Sequence, residues 1–192
     1  DSKRHPLELE ALSEPERVLA QLPALIAEAV GHGQSEEQAR LELARANACR
    51  VMADWPCQRD AAAAAVDAAG KSGADHLAVR GLIAEARARI AMQDFSNGEH
   101  RLGSAEAMLA KHPDGGLLAD VMLAYSSMAL QLGRHQLMRD YAQRGIDALG
   151  EQTAAVVRAR LLRNLGRAEL ELGHPDVARA AMLKATTVAA AL

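Results

Sequence analysis

Aromatic side chains are almost missing from this chain: Trp55, Phe95, Tyr125 and Tyr141 are the only four in 192 residues. Pleated sheets are filled by aromatic and β-branched residues, so this shortage argues against a sandwich or barrel. Lysine is scarce too, and the formal net charge is −3 with no basic block. That balance argues against nucleic-acid binding. No apolar run approaches the ~20 uninterrupted residues that a bilayer-spanning helix requires. Cysteine is limited to Cys49 and Cys57, a spacing that suits neither a zinc motif nor a redox Cys-x-x-Cys pair. Two readings of the pair stay open. They bridge a turn, which needs Cα atoms within roughly 7 Å, or they are small reduced apolar residues.

Alanine and leucine dominate what is present. With hydrophobic residues at 49%, the chain has helix-former composition and enough apolar surface to argue against disorder.

Residues 40 apart fall into columns. Met52, Met92, Leu132 and Leu172 form one; six positions earlier stand Ala46, Ala86, Ser126 and Gly166, all small. Thirteen positions after the first column stand Ala65, Ala105, Gly145 and Ala185, again small. Turn signals alternate between them, at Ala53-Asp54-Trp55-Pro56, Gln93-Asp94-Phe95-Ser96, Gly133-Arg134-His135 and Gly173-His174-Pro175, and again near Gly70, Lys111 and Gly150. The pattern predicts an all-α solenoid of antiparallel helix pairs, each helix ~15–18 residues long. The small columns mark where paired helices cross closely. One hairpin cannot bury both faces, so neighbours stack. The expected organisation is a single domain over 1–192, with a partial repeat at 6–33 and repeats at about 35–73, 74–113, 114–150 and 151–192.

Local signals mark helix ends. Ser35 with Gln38 three residues on reads as a capping box. Pro56 and Pro175 suit the first turn of second helices. Gly133 and Gly173 stand where a left-handed cap is wanted. The chain begins at Asp1 and stops inside a helical pattern, so it reads as a piece of a larger protein. The last helix, from Val177, carries Ala and Leu on several sides. That predicts a further repeat or a homodimer contact there.

The columns resemble the tetratricopeptide repeat. The fourth unit matches through Leu162, Leu165, Gly166, Gly173, Ala178, Met182 and Ala185, and the third through Met122, Tyr125, Ser126, Gly133, Ala142 and Gly145. The second keeps Leu82, Ala86, Phe95, Leu102 and Ala105, and the first Ala46, Trp55, Ala62 and Ala65. The position of the family's first-helix aromatic holds Cys49, Arg89, Ala129 and Glu169 instead. The terminal proline is missing, and the period exceeds the family's usual ~34 residues. The resemblance covers roughly 14–192 and implies a right-handed superhelix with first helices lining a concave face. Long, alanine-rich units of this kind are also similar to those preceding diguanylate cyclase (GGDEF) domains of bacterial signalling proteins. That implies a sensory or interaction module, with the periplasm favoured over the cytoplasm. They are similar as well to repeats of large LuxR-type transcriptional activators, which implies a cytoplasmic regulatory or dimerisation region.

On the concave face the resemblance places Arg40 and Asn47, then Arg80 and Arg87, then Asp120 and Ser127, then Arg160 and Arg167. Each pair is two helical turns apart, so its members point the same way. Arg163 and Asn164 extend the last strip. Arginine forks suit carboxylates, so the expected partner is a protein or peptide, acidic or carboxyl-bearing. The plain alternative is solvated helix faces with i,i+4 partners such as Glu36 and Arg40.

Other features carry less. Gly70-Lys71-Ser72 lacks the upstream glycine of a phosphate loop and follows an alanine helix, so it reads as a helix stop. His5, His32, His76, His100, His112, His135 and His174 fall mostly at breaks, and no metal or cofactor is expected. Ser126 and Ser127 have no base beside them in sequence, and the segment reads as non-enzymatic.

Overall fold

The computed structural model describes residues 5–150 and 154–190. Among them the regular elements are all helices: α1 Pro6–Glu10, α2 Pro15–Gly31, α3 Ser35–Val51, α4 Trp55–Ser72, α5 Asp75–Ala91, α6 Phe95–Lys111, α7 Gly115–Gln131, α8 His135–Leu149, α9 Ala155–Glu171 and α10 Pro175–Ala190. The 40-residue step is kept throughout. First helices begin at Ser35, Asp75, Gly115 and Ala155, and second helices at Trp55, Phe95, His135 and Pro175. The all-α array of helical hairpins follows from that step, with α1 and α2 as the partial hairpin.

The chain divides into two compact units, Asp1–Met108 and Leu109–Leu192. In the first, α3 packs on α1, α2, α4 and α5, and α5 packs on α4. In the second, α9 packs on α7, α8 and α10, and α7 on α8. The small columns are helix crossings. A Cβ on Gly145 would lie 2.8 Å from Leu161 Cδ2, and one on Gly166 3.1 Å from the Ala178 carbonyl oxygen.

First helices end in a left-handed residue, at Ala53 (φ 56°), Gln93 (φ 64°), Gly133 (φ 65°) and Gly173 (φ 85°). Glycine adopts this conformation freely, whereas a Cβ costs about 1 kcal/mol. Ala53→Gly and Gln93→Gly are therefore expected to stabilise the first unit by roughly 0.5 kcal/mol each, after the added freedom of the unfolded chain is set against the gain. Urea midpoints check this. The capping box expected at Ser35 does not form. The helix takes Ser35 as its first residue, Gln34 is the N-cap without a side-chain bond, and Gln38 is then one position too far along. Asp54 and Asp114 do cap, accepting from the backbone N–H of Cys57 and Leu117 at 3.0 Å.

The column that departs from the tetratricopeptide pattern has a local role: it braces the hairpin turn. Cys49 is disulfide-bonded to Cys57, with Cα atoms 5.8 Å apart. Arg89 donates to Asp94 at 2.9 Å and to Glu85 at 2.9 Å. Against the opposing effect of desolvation, hydrogen bonds from Arg89 and Asn97 hold the Asp94 carboxyl below its ordinary value. Glu169 meets His174 Nδ1 at 2.7 Å. Ala129 instead clusters with Met138 and Ala168. A second position varies in the same way. Arg101 Nε donates to the buried Glu85 at 3.0 Å, and one repeat later Tyr125 and Tyr141 stack with centroids 4.8 Å apart.

One buried column is Leu82, Met122 and Leu162 in three repeats and Glu42 in the first. Glu42 is 5% exposed, and Arg45 approaches its Oε2 only to 3.7 Å, leaving that oxygen without a hydrogen bond. Burial pushes its carboxyl above the ordinary glutamate value, and Arg45 offsets this in part. A carboxyl raised in the folded state binds its proton more tightly there than in the unfolded chain. Its ionisation therefore costs nothing below the unfolded value, and that penalty grows as pH rises past it. Glu42→Leu is expected to stabilise the first unit by about 1 kcal/mol at neutral pH. The part of the gain that comes from ionisation fades as pH falls below the ordinary glutamate range, which denaturant titration at two pH values tests.

Candidate binding face of the first helices

Five of the nine candidate residues lie on helices of the second unit. On α9, Arg160, Arg163 and Arg167 are exposed, with Arg163 and Arg167 one turn apart. Asn164 turns inward instead: it is buried and donates to Ser126 Oγ at 3.2 Å, and Ser126 donates to the Met138 carbonyl at 3.1 Å. Ser127 donates to the Leu123 carbonyl of its own helix at 2.8 Å. The sequence carries a signal for Asn164 that spacing along one helix misses. Its column reads Ala44, Ala84 and Ala124 in the other repeats, the profile of a packed position.

Arg163 is the reverse case. Its column holds Leu43, Ile83 and Leu123, all buried. Leu43 clusters with Leu77 and Ala78 of the next first helix, and Leu123 with Val157 and Leu161. On α9 this side is exposed and carries a guanidinium where the other repeats carry a hydrocarbon. The α10 helix keeps Val177 and Leu183 exposed at 53% and 68%.

In the first unit, Arg40 pairs with Glu36 at 2.6 Å along α3, as the i,i+4 alternative expects. Arg87 is half-buried on α5. Asn47 and Arg80 have a different partner, which the sequence did not reveal. The carboxylate of Glu8, on the five-residue α1, is fully buried between them. Arg80 Nη2 donates to Glu8 Oε2, and Asn47 Nδ2 lies 3.5 Å from the same oxygen. The other Glu8 oxygen accepts from the His5 backbone N–H at 3.1 Å, and His5 Nε2 lies 3.3 Å from Glu37. Two residues on different first helices thus converge on one carboxylate.

Gly70, Lys71 and Ser72 close α4, with the Ser72 hydroxyl donating back to the Ala69 carbonyl at 3.1 Å. Among the described residues no group of three or more His, Cys, Asp or Glu is placed to hold a metal ion, and no helix is long and apolar enough to cross a membrane.

Comparison with protein-family models, with curated proteins and with solved structures finds no match to this chain. Its own repeats define it as an all-α array of helical hairpins.

Proposed function

We propose that this chain is a non-catalytic interaction module of tetratricopeptide type, whose first-helix faces hold acidic or carboxyl-bearing segments of a protein partner. The observation that carries the reading is the grip of Asn47 and Arg80 on the Glu8 carboxylate. Two side-chain donors from two helices, converging on one carboxylate, are what such a face must offer a ligand. The exposed arginines of α9 supply like chemistry in the second unit. The long alanine-rich repeat points to a bacterial signalling protein of the kind that carries a diguanylate cyclase domain, in which the module senses or docks. Exposed Val177 and Leu183 on α10 suit contact with a second copy, and a strict monomer in concentrated sedimentation runs removes that part.

The test is fluorescence anisotropy with a labelled hexaglutamate peptide. Arg87→Glu and Arg167→Glu are each expected to weaken binding about tenfold, equivalent to ~1.4 kcal/mol. Unchanged affinity in both removes the reading.

A further inference from the structure

The geometry around Glu8 points to a regulated site: we propose that α1 is a displaceable internal ligand, an acidic strap that occupies the Asn47–Arg80 site until a partner's acidic segment replaces it. This rests on the reading of the first-helix face as a carboxylate-binding surface.

Three observations carry the proposal. First, the occupant has the chemistry of the expected ligand. Glu8 is a carboxylate on a helix, fully buried against Arg80, which is itself 17% exposed. Second, the fit is incomplete. Only Nη2 of the Arg80 fork reaches Glu8, and Nη1 is buried without a hydrogen-bond partner among the described residues. Asn47 stands at 3.5 Å, the long limit of a hydrogen bond. A guanidinium binds a carboxylate best with both prongs, so a ligand approaching at a better angle gains what Glu8 leaves unused. Third, the strap is short. Five residues are too few for a helix that stands alone. Its apolar anchorage is the half-buried Leu7, with Ala11 just beyond its end, against the cluster of α2 and α3. Leu9 and Leu12 remain exposed at 46% and 48%. A short segment with few apolar contacts opens locally at less cost than the folded core.

An occupied site binds with its intrinsic affinity multiplied by the fraction of molecules in which the strap is open. Removing Glu8 should therefore strengthen binding. The experiment uses the labelled hexaglutamate peptide and the Arg167→Glu background, which weakens the contribution of α9. Glu8→Ala is expected to bind at least tenfold more tightly, Glu8→Gln to fall between it and Glu8, and Arg80→Ala added to Glu8→Ala to abolish the gain. Hydrogen exchange supplies a readout inside the unaltered protein. Saturating peptide should accelerate exchange of the α1 amides and slow exchange in α3 and α5. If Glu8→Ala binds no more tightly while Arg87→Glu still weakens binding, the strap is wrong and the binding face stands. If α1 exchange is unchanged at saturation, the strap is likewise overturned. If the peptide binds neither protein, both proposals fall together.

Discussion

Gly81→Leu is expected to destabilise the first unit by about 3 kcal/mol, the upper range for forcing volume into a packed crossing. A Cβ on Gly81 would sit 2.7 Å from Val66 Cγ2, 3.1 Å from the Ala62 carbonyl oxygen and 3.3 Å from the Val66 amide nitrogen. The side chain of Val66 is stiff, and the two backbone atoms belong to α4, so relief requires α4 and α5 to separate. The alanines of α4 set this distance: Ala61, Ala62, Ala65, Ala68 and Ala69 are all buried, and their size lets α5 lie close. Equivalent positions elsewhere pair larger residues, Leu41 with Ile26 and Leu161 with Ile146. Gly81 is thus small because the neighbouring helix stands nearer. Gly81→Ala should cost less, and Val66→Ala should recover part of the loss, giving a double-mutant coupling of 0.5 kcal/mol or more. Urea unfolding of the four variants measures it. A Gly81→Leu protein of unchanged stability would mean that the crossing is loose.

Reduction of the Cys49–Cys57 bridge is expected to lower stability by about 2.5 kcal/mol, the chain-entropy value for closing a loop of this length. Cys49 is fully buried at the end of α3, and Cys57 is half-buried in the first turn of α4. The bridge therefore fixes the angle at which the first full hairpin turns. The Cys49→Ala, Cys57→Ala double variant should show the same loss and no response to reductant. Mass spectrometry with alkylation before and after reduction identifies the bonded form. An unfolding midpoint that ignores reductant in the unaltered protein would count against a stabilising bridge.

The repeat was legible because stacking asks the same thing of each hairpin. Ala46, Ala86, Ser126 and Gly166 recur because each lies at a helix crossing, and Gly133 and Gly173 because each turn needs a left-handed residue. The failure at Ser35 is one of register. Capping depends on which residue is first in the helix, and a shift of one position undoes the box. Glu8 and Arg80 were not legible as a pair, since 72 residues separate them and nothing periodic relates a five-residue helix to α5. Arg163 and Asn164 show the limit from another side. Periodicity along α9 treats both as one polar strip, whereas comparison down the columns separates the packed position from the exposed one only for Asn164. For Arg163 the column is hydrocarbon elsewhere, and the exposure of that side of α9 comes from the packing.

The turn braces differ from hairpin to hairpin: a covalent sulfur bond in the first, an arginine–carboxylate ion pair in the second, hydrocarbon in the third and a histidine–carboxylate contact in the fourth. Thiols attack only the first, dissolved salt screens chiefly the arginine pair, and chilling weakens chiefly the oily one. None of these three agents therefore slackens every joint together.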